Sequence, residues 1–452
     1  YEGAAPIEDR LSIADSDSYS ITRRYDDQGR LVERVLPSGT ASTFSYPDDS
    51  TVVVAVGRDT IRLVYSAEGA ILSATMGDAV VEYMLPISGA PDSAFRVTAK
   101  GGGQTLLDRR IRFENGRAAA IDEPLFGDPQ RIERNEAGRI TSVSQGGLGD
   151  SGSPELRKEE FSFDEAGARL SAGQSSPWLP THAEDASLAT LDPDGRVTVL
   201  NDRTIVRDPF GLVSTVEWNG TTTKLLRDGQ GRVVALRGDG RADDIIYDGG
   251  TITGVYRNGE PAAEHILDPN NVPVARVYES GLELLALDFG GWPLAYIGSD
   301  GKFGTRIFLS AFGMPEFLNE GVMRTPDIPQ PQLDGMLFDP ASGLYLTAIR
   351  AMDPEIGQFL SPEPFGPLAS PLPYEYAAGD PFTFRDTTGA IPSGNGGIGA
   401  DVEPTEGLFD SIAKIWDNVT SIFIDEVEDE IGRASDEDNG GNVDSIDQGG
   451  SG

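Results

Sequence analysis

The sequence predicts a mainly β protein built as a long antiparallel meander, and three observations predict it. Asp208, Asp228, Asp248, Asp268 and Asp288 recur at intervals of 20 residues, each closing a short apolar stretch and opening a turn that contains Gly or Pro. Between such turns the chain alternates, as in Ile61-Arg62-Leu63-Val64-Tyr65 and Arg232-Val233-Val234-Ala235-Leu236, with the two-residue period of a half-buried strand. Gly (55) and Pro (30) make 85 of the 452 residues, well above an ordinary usage of about 12%. Because 38% of residues are still hydrophobic, such a chain is turn-rich and folded rather than disordered.

Composition removes several function classes. Lys plus Arg is 36 against 73 Asp plus Glu, a formal net charge of −37 spread along the chain. A surface of that sign repels nucleic acid and anionic membranes. With no cysteine there is no disulfide framework, Cys-ligated zinc or thiol catalysis. Two histidines, His182 and His265, leave almost no material for a His-rich metal site or a Ser-His-Asp triad. No cofactor is expected. No apolar run approaches the ~20 residues of a membrane helix, so membrane insertion is not expected. Tyr1-Glu2-Gly3 offers neither Met nor a basic-then-apolar leader, as expected of a piece of something longer.

The elements follow in order. Residues 1–19 read as a lead-in and residues 20–320 as the β strip. Its corners carry words such as Arg207-Asp208-Pro209-Phe210-Gly211 and Arg227-Asp228-Gly229-Gln230-Gly231. An Asp at the first turn position accepts hydrogen bonds from the amides that follow, and a Gly two or three residues on supplies positive φ. The same word recurs at Tyr25-Asp26-Asp27-Gln28-Gly29-Arg30-Leu31, Asn135-Glu136-Ala137-Gly138-Arg139 and Leu191-Asp192-Pro193-Asp194-Gly195-Arg196. A period near 20 holds two strands of roughly 7 residues plus two turns. Only 5 of the 36 basic residues are Lys, and seven Gly-Arg pairs lie between Gly29 and Arg241. Ladders of Arg against Asp and Glu along stacked hairpins are the expectation, with ligand binding by these arginines as the other reading.

Tyr25 to Leu31 resembles the YD repeat of bacterial RHS proteins, toxin-complex C subunits and teneurins. More specific is Leu337-Phe338-Asp339-Pro340-Ala341-Ser342-Gly343-Leu344-Tyr345, followed by Ala348-Ile349-Arg350-Ala351-Met352-Asp353-Pro354 and Gly357-Gln358-Phe359-Leu360-Ser361-Pro362-Glu363-Pro364. It is similar to the RHS-associated core, as is Tyr374-Glu375-Tyr376 through Asp380-Pro381 to Asp386-Thr387-Thr388-Gly389. The resemblance covers about residues 20–390. It implies YD-repeat hairpins winding into a spiral β shell, with residues 321–390 as the core that plugs one end. It also implies a bacterial protein that is extracellular or on the cell surface, and, for toxin-associated members, a shell enclosing a C-terminal region released by aspartic-protease-like self-cleavage. The teneurins imply a different class, an adhesion or glycan-binding module.

The family's self-cleavage Arg falls on Arg350 and its acidic residues on Glu363 and Asp386, with cleavage close to Ala390. Two carboxylates that share a proton suit such chemistry, one polarising the peptide carbonyl and the other activating water, with the Arg holding charge or geometry. Here Glu363 replaces the usual Asp, Gln358 replaces an Arg, and the Asp386 to Ala390 word lacks its Pro and Leu. The extra methylene at Glu363 displaces a carboxylate by about 1 Å, a shift large enough to lose much of a positioned reaction. A salt-bridged plug without chemistry is the alternative.

Residues 391–406 are a Gly-rich link and residues 407–452 an acidic tail. The 62 residues from 391 onward carry 15 acidic residues against Lys414 and Arg433. Leu408, Phe409, Ile412, Ile415, Trp416, Val419, Ile422, Phe423, Val427 and Ile431 step by three and four, predicting one amphipathic helix that stops at Gly432. Its acidic polar face suits docking on the shell interior or on a partner chain rather than on a membrane. The word Asp436-Glu437-Asp438-Asn439-Gly440-Gly441 lacks the EF-hand spacing, so a solvated tail is expected and no metal. His182, His265, Trp178, Trp218 and Trp292 read as ordinary strand, core or rim residues.

Overall fold

A computed structural model of the chain describes residues 7–13, 18–86, 93–123, 130–145, 157–163, 169–170, 189–238, 240–278, 281–319, 322–324, 326–331, 335–364, 372–389 and 393–394, all within the unit formed by residues 1–400. The amphipathic segment Leu408 to Ile431, the word at Asp436, His182 and Trp178 lie outside the described residues. No α-helix occurs among the described residues, and none of their helices is long and apolar enough to cross a membrane.

Two large antiparallel sheets dominate, and in both the strand order is the order of the chain. The first holds 14 strands, from Ile7–Ser12 to Arg157–Glu160. It starts ahead of residue 20, because Ile7–Ser12 pairs with Ser18–Tyr25. The second holds 15 strands, from Ala189–Leu191 to Val322–Arg324. A five-stranded sheet from Gln330–Pro331 to Gln358–Phe359 carries the core words.

The periodic aspartates all lie at corners on one edge of the second sheet, each joining an odd strand to the next even one. Four are the same device. Asp208 Oδ1 accepts from the Phe210 and Leu212 amides, both at 2.9 Å, and its own N–H donates to the Leu212 carbonyl at 2.9 Å. Gly211, at φ +80°, turns the chain. Asp228, Asp268 and Asp288 repeat the side-chain pattern. Asp248 departs from it. Followed by two glycines, it pairs with Thr251 across a two-residue turn and leaves its carboxylate free for other partners.

Burial tracks what covers each face. In the first sheet Val52, Val54, Val56, Ile61 and Leu63 are buried while their neighbours Val53, Ala55 and Val64 are not. In the second, Leu282 to Gly290 is buried without interruption, the signature of strands covered on both faces. The cover comes from the strip itself. Arg34 reaches the Leu267 carbonyl 233 residues on, Tyr65 meets Asp268 203 residues on, Arg306 meets Glu123 across 183 residues, and the Ala311 amide meets Glu159 across 152. The chain therefore completes a circuit and lies against its own earlier winding. Where Gly101 crosses Gly301 the backbones are so close that a Cβ on Gly101 would fall 1.8 Å from the Gly301 carbonyl oxygen. One core joins Leu31 to Phe161, Ile266 to Phe312 and the plug residues Met336, Phe338, Tyr345, Met352, Phe359 and Tyr376.

Candidate active site

The plug is held to the strip by charge. Asp339 takes Arg241 at 2.7 Å, Asp353 takes Arg203, Asp380 takes Arg134 at 2.8 Å and Glu375 takes Arg139 at 2.6 Å. All four arginines come from the β strip, and two of them, Arg139 and Arg241, belong to the Gly-Arg words. Along the strip the ladders are present as well, as in Arg96 with Asp108 at 2.6 Å and Arg276 with Glu283 at 2.7 Å. Trp292 is buried in the main core, His265 is a buried strand residue, and Trp218 lies under the Arg203 guanidinium, 4.6 Å from it.

Arg350, Glu363 and Asp386 are brought together by three separate segments. Arg350 precedes the strand Ala351–Asp353, Glu363 follows Gln358–Phe359, and Asp386 follows Phe384–Arg385. One nitrogen, Arg350 Nη2, lies 2.9 Å from Glu363 Oε2 and 3.0 Å from Asp386 Oδ2. Nη1 donates to the Pro373 carbonyl at 3.2 Å, and Nε donates to the Gly389 carbonyl. The guanidinium lies 3.6 Å over the Phe359 ring. All three charged side chains are almost fully buried, at 2%, 1% and 0% exposure. Burial pushes the Arg350 guanidinium down from its usual range, and the Asp386 and Glu363 carboxylates offset only part of that fall. One guanidinium thus bridges two buried carboxylates, Glu363 and Asp386, and holds them within reach of one another.

Asp386 also shapes the segment that follows it. Its Oδ1 accepts the Gly389 amide at 2.8 Å, so residues 386–389 close a turn that offers the Gly389 carbonyl to Arg350. Two contributors escape a reading of the sequence. Phe359 lies in a quoted word but as a core aromatic, and Thr347 falls between words. Thr347 Oγ1 accepts the Arg350 amide at 3.0 Å and donates to the Arg350 carbonyl at 2.8 Å. A Thr three residues before the key Arg was the available signal.

No known family profile matches the chain, and no curated protein matches it. Solved structures do. A Photorhabdus luminescens Tc holotoxin pore carrying a TccC3 point mutation aligns with a TM-score of 0.63 at 14% identity, over 87% of this chain and 23% of that one. A complex of TcdB2-TccC3 with Cdc42 gives 0.62 at 16% identity, over 83% of this chain and 22% of that one. TcdB2-TccC3 without its hypervariable C-terminal region gives 0.62 at 16%, with the same coverage. The chain thus spans less than a quarter of the length of the chains it matches. At these identities the likeness is one of fold, and the fold is the RHS-type β shell of toxin-complex proteins.

Proposed function

We propose that this chain is a structural segment of an RHS-type shell, whose winding strip and plug enclose or present the residues that follow position 390. The observation that carries the reading is the circuit: corners and strands of the second sheet lie against the first, about 150–230 residues earlier, through buried and half-buried partners. A protease site engineered between residues 171 and 188 tests it. After cutting, the two pieces should co-elute in native size exclusion, held by the seam between windings. Pieces that separate without denaturant would overturn the reading.

A second reading, single-turnover release of the tail, is favoured by the Arg350 bond to the Gly389 carbonyl. In it, water adds to the Gly389 carbonyl carbon and one carboxylate takes the water's proton. The other carboxyl supplies a proton, the bond to Ala390 breaks, and Ala390 leaves as a free amine. Arg350 Nε is placed to stabilise the oxygen as charge develops on it. Mass spectrometry of the purified chain should find a fragment beginning at Ala390, and Glu363→Asp should raise its yield by restoring the shorter side chain. No such fragment from either chain would overturn this second reading and leave the first intact.

A further inference from the structure

We propose that Thr347 is a positioning residue that restricts position 389 to glycine and thereby seats the Gly389 carbonyl on Arg350 Nε. For its chemistry the proposal rests on the tail-release reading; for its geometry it rests on packing alone. A Cβ built on Gly389 would lie 2.4 Å from Thr347 Oγ1 and 3.2 Å from both Cβ and N of Arg350. The neighbour cannot step aside cheaply. Thr347 is 4% exposed, its Oγ1 is committed to both the amide and the carbonyl of Arg350, and its own carbonyl is held by Arg227 Nη1 at 3.0 Å. Rotating the hydroxyl away would strip two bonds from the turn that carries the Arg350 guanidinium.

The consequence is specific. Because the hydroxyl fills the space where a side chain at 389 would go, the 386–389 turn is held against Arg350 with its carbonyl on Nε and its amide on Asp386. Gly389 also has φ +79°, a backbone that other residues adopt only under strain. The backbone disfavours any side chain at 389 regardless of neighbours, whereas the Thr347 contact disfavours it through one removable group. Those two effects can therefore be separated by substitution.

The test is a double-mutant cycle on the full chain, with Gly389→Ala, Thr347→Gly and the pair, read by melting temperature and by mass spectrometry of the fragment starting at Ala390. Gly389→Ala should lower the melting temperature and cut fragment formation by about 100-fold, the loss expected when a reacting group moves by an ångström. Thr347→Gly should relieve part of the melting-temperature loss by opening the space, but not the loss of fragment, because it removes the same two hydrogen bonds to Arg350. Thr347→Ser keeps the hydroxyl and should form fragment at the wild-type rate, whereas Thr347→Val keeps the volume, loses both hydrogen bonds and should not. If Gly389→Ala costs the same with and without Thr347, the proposal is wrong, whether or not the chain cleaves. If Ser and Val at 347 behave alike in fragment formation, Thr347 is only packing and the positioning role is wrong. If no variant, Glu363→Asp included, releases fragment, the tail-release reading and the positioning role fall together, while melting-temperature coupling alone would establish a glycine-only packing constraint.

Discussion

Arg350 holds two carboxylates and two carbonyl oxygens at once and is almost fully buried. Its removal takes the shared cation from two buried acids. Arg350→Ala is therefore expected to destabilise the protein by about 3–5 kcal/mol, the range for breaking a buried ion pair from one side, as read from the shift in a urea unfolding midpoint. A second residue gives a pH signature. His265 is fully buried, and its imidazole is pushed down from 6.5 to about 3, first by burial and then by Arg276, which faces it across the strand pair. Between those values the unfolded chain takes up a proton that the folded chain refuses, so stability falls as pH falls from 6.5 to 3. His265→Leu should remove that loss, about 4–5 kcal/mol at full depth, seen as a flatter stability profile in acid than the wild type. Asp268 and Asp288 are both pushed up, chiefly by burial, and favour folding in acid. They are present in both proteins and drop out of the comparison. At this scale the three charged residues of the candidate site were legible because their words resemble a known core. Thr347 was legible only as a Thr three residues before Arg350, because its approach to Gly389, 42 positions away, leaves no record in sequence spacing.

The hairpin corner is the unit that the sequence announces most clearly, and its meaning still differs from one copy to the next. Asp208 and Asp228 use their carboxylates to satisfy the turn amides at the sheet edge. Asp248 meets Arg34 at 2.8 Å and Arg23, both from the earlier winding. Asp268 accepts the Tyr65 hydroxyl at 2.8 Å, and Asp288 faces Arg109 at 3.7 Å. Asp208→Ala should thus cost about 1 kcal/mol, the worth of an ordinary hydrogen bond. Asp248→Ala takes the carboxylate from buried Arg34 and leaves buried Arg23 with Asp9 alone, and should cost about 3–5 kcal/mol. Denaturant titration of the two variants under one set of conditions checks the ranking, and equal losses would contradict it. The 20-residue period made the corners and their common edge readable in advance. Which corners would be buried was not readable, since that depends on which strand of the previous winding lies opposite. The two glycines after Asp248 were the local hint that this turn would be tighter than the others.

The first winding, the later strands of the second and the plug share one hydrophobic core, and the plug also enters a second core with Ala189 to Val255, with Glu123 clasped between Arg109 of its own sheet at 2.5 Å and Arg306 of the other at 2.9 Å. Neither sheet can lose its cover without exposing the other, so unfolding of residues 7–389 should be a single transition. Trp292, buried against Phe382 of the plug, offers one probe and far-ultraviolet circular dichroism another. Their urea midpoints should coincide, and two separated midpoints would show that the sheets fold independently. The circuit has a further consequence for how such a protein can vary in length. All five periodic corners lie on one edge, and the chain returns to that edge only after two strands. Inserting one strand ahead of residue 208 would send every later corner to the far edge, turning the carboxylates of Asp248, Asp268 and Asp288 away from Arg23, Arg34, Tyr65 and Arg109. Inserting two would only shift each corner one place along the older winding. Growth and loss in this architecture are therefore granular: the chain gains or sheds whole hairpins of 20 residues, and a half-step leaves it unable to close upon itself.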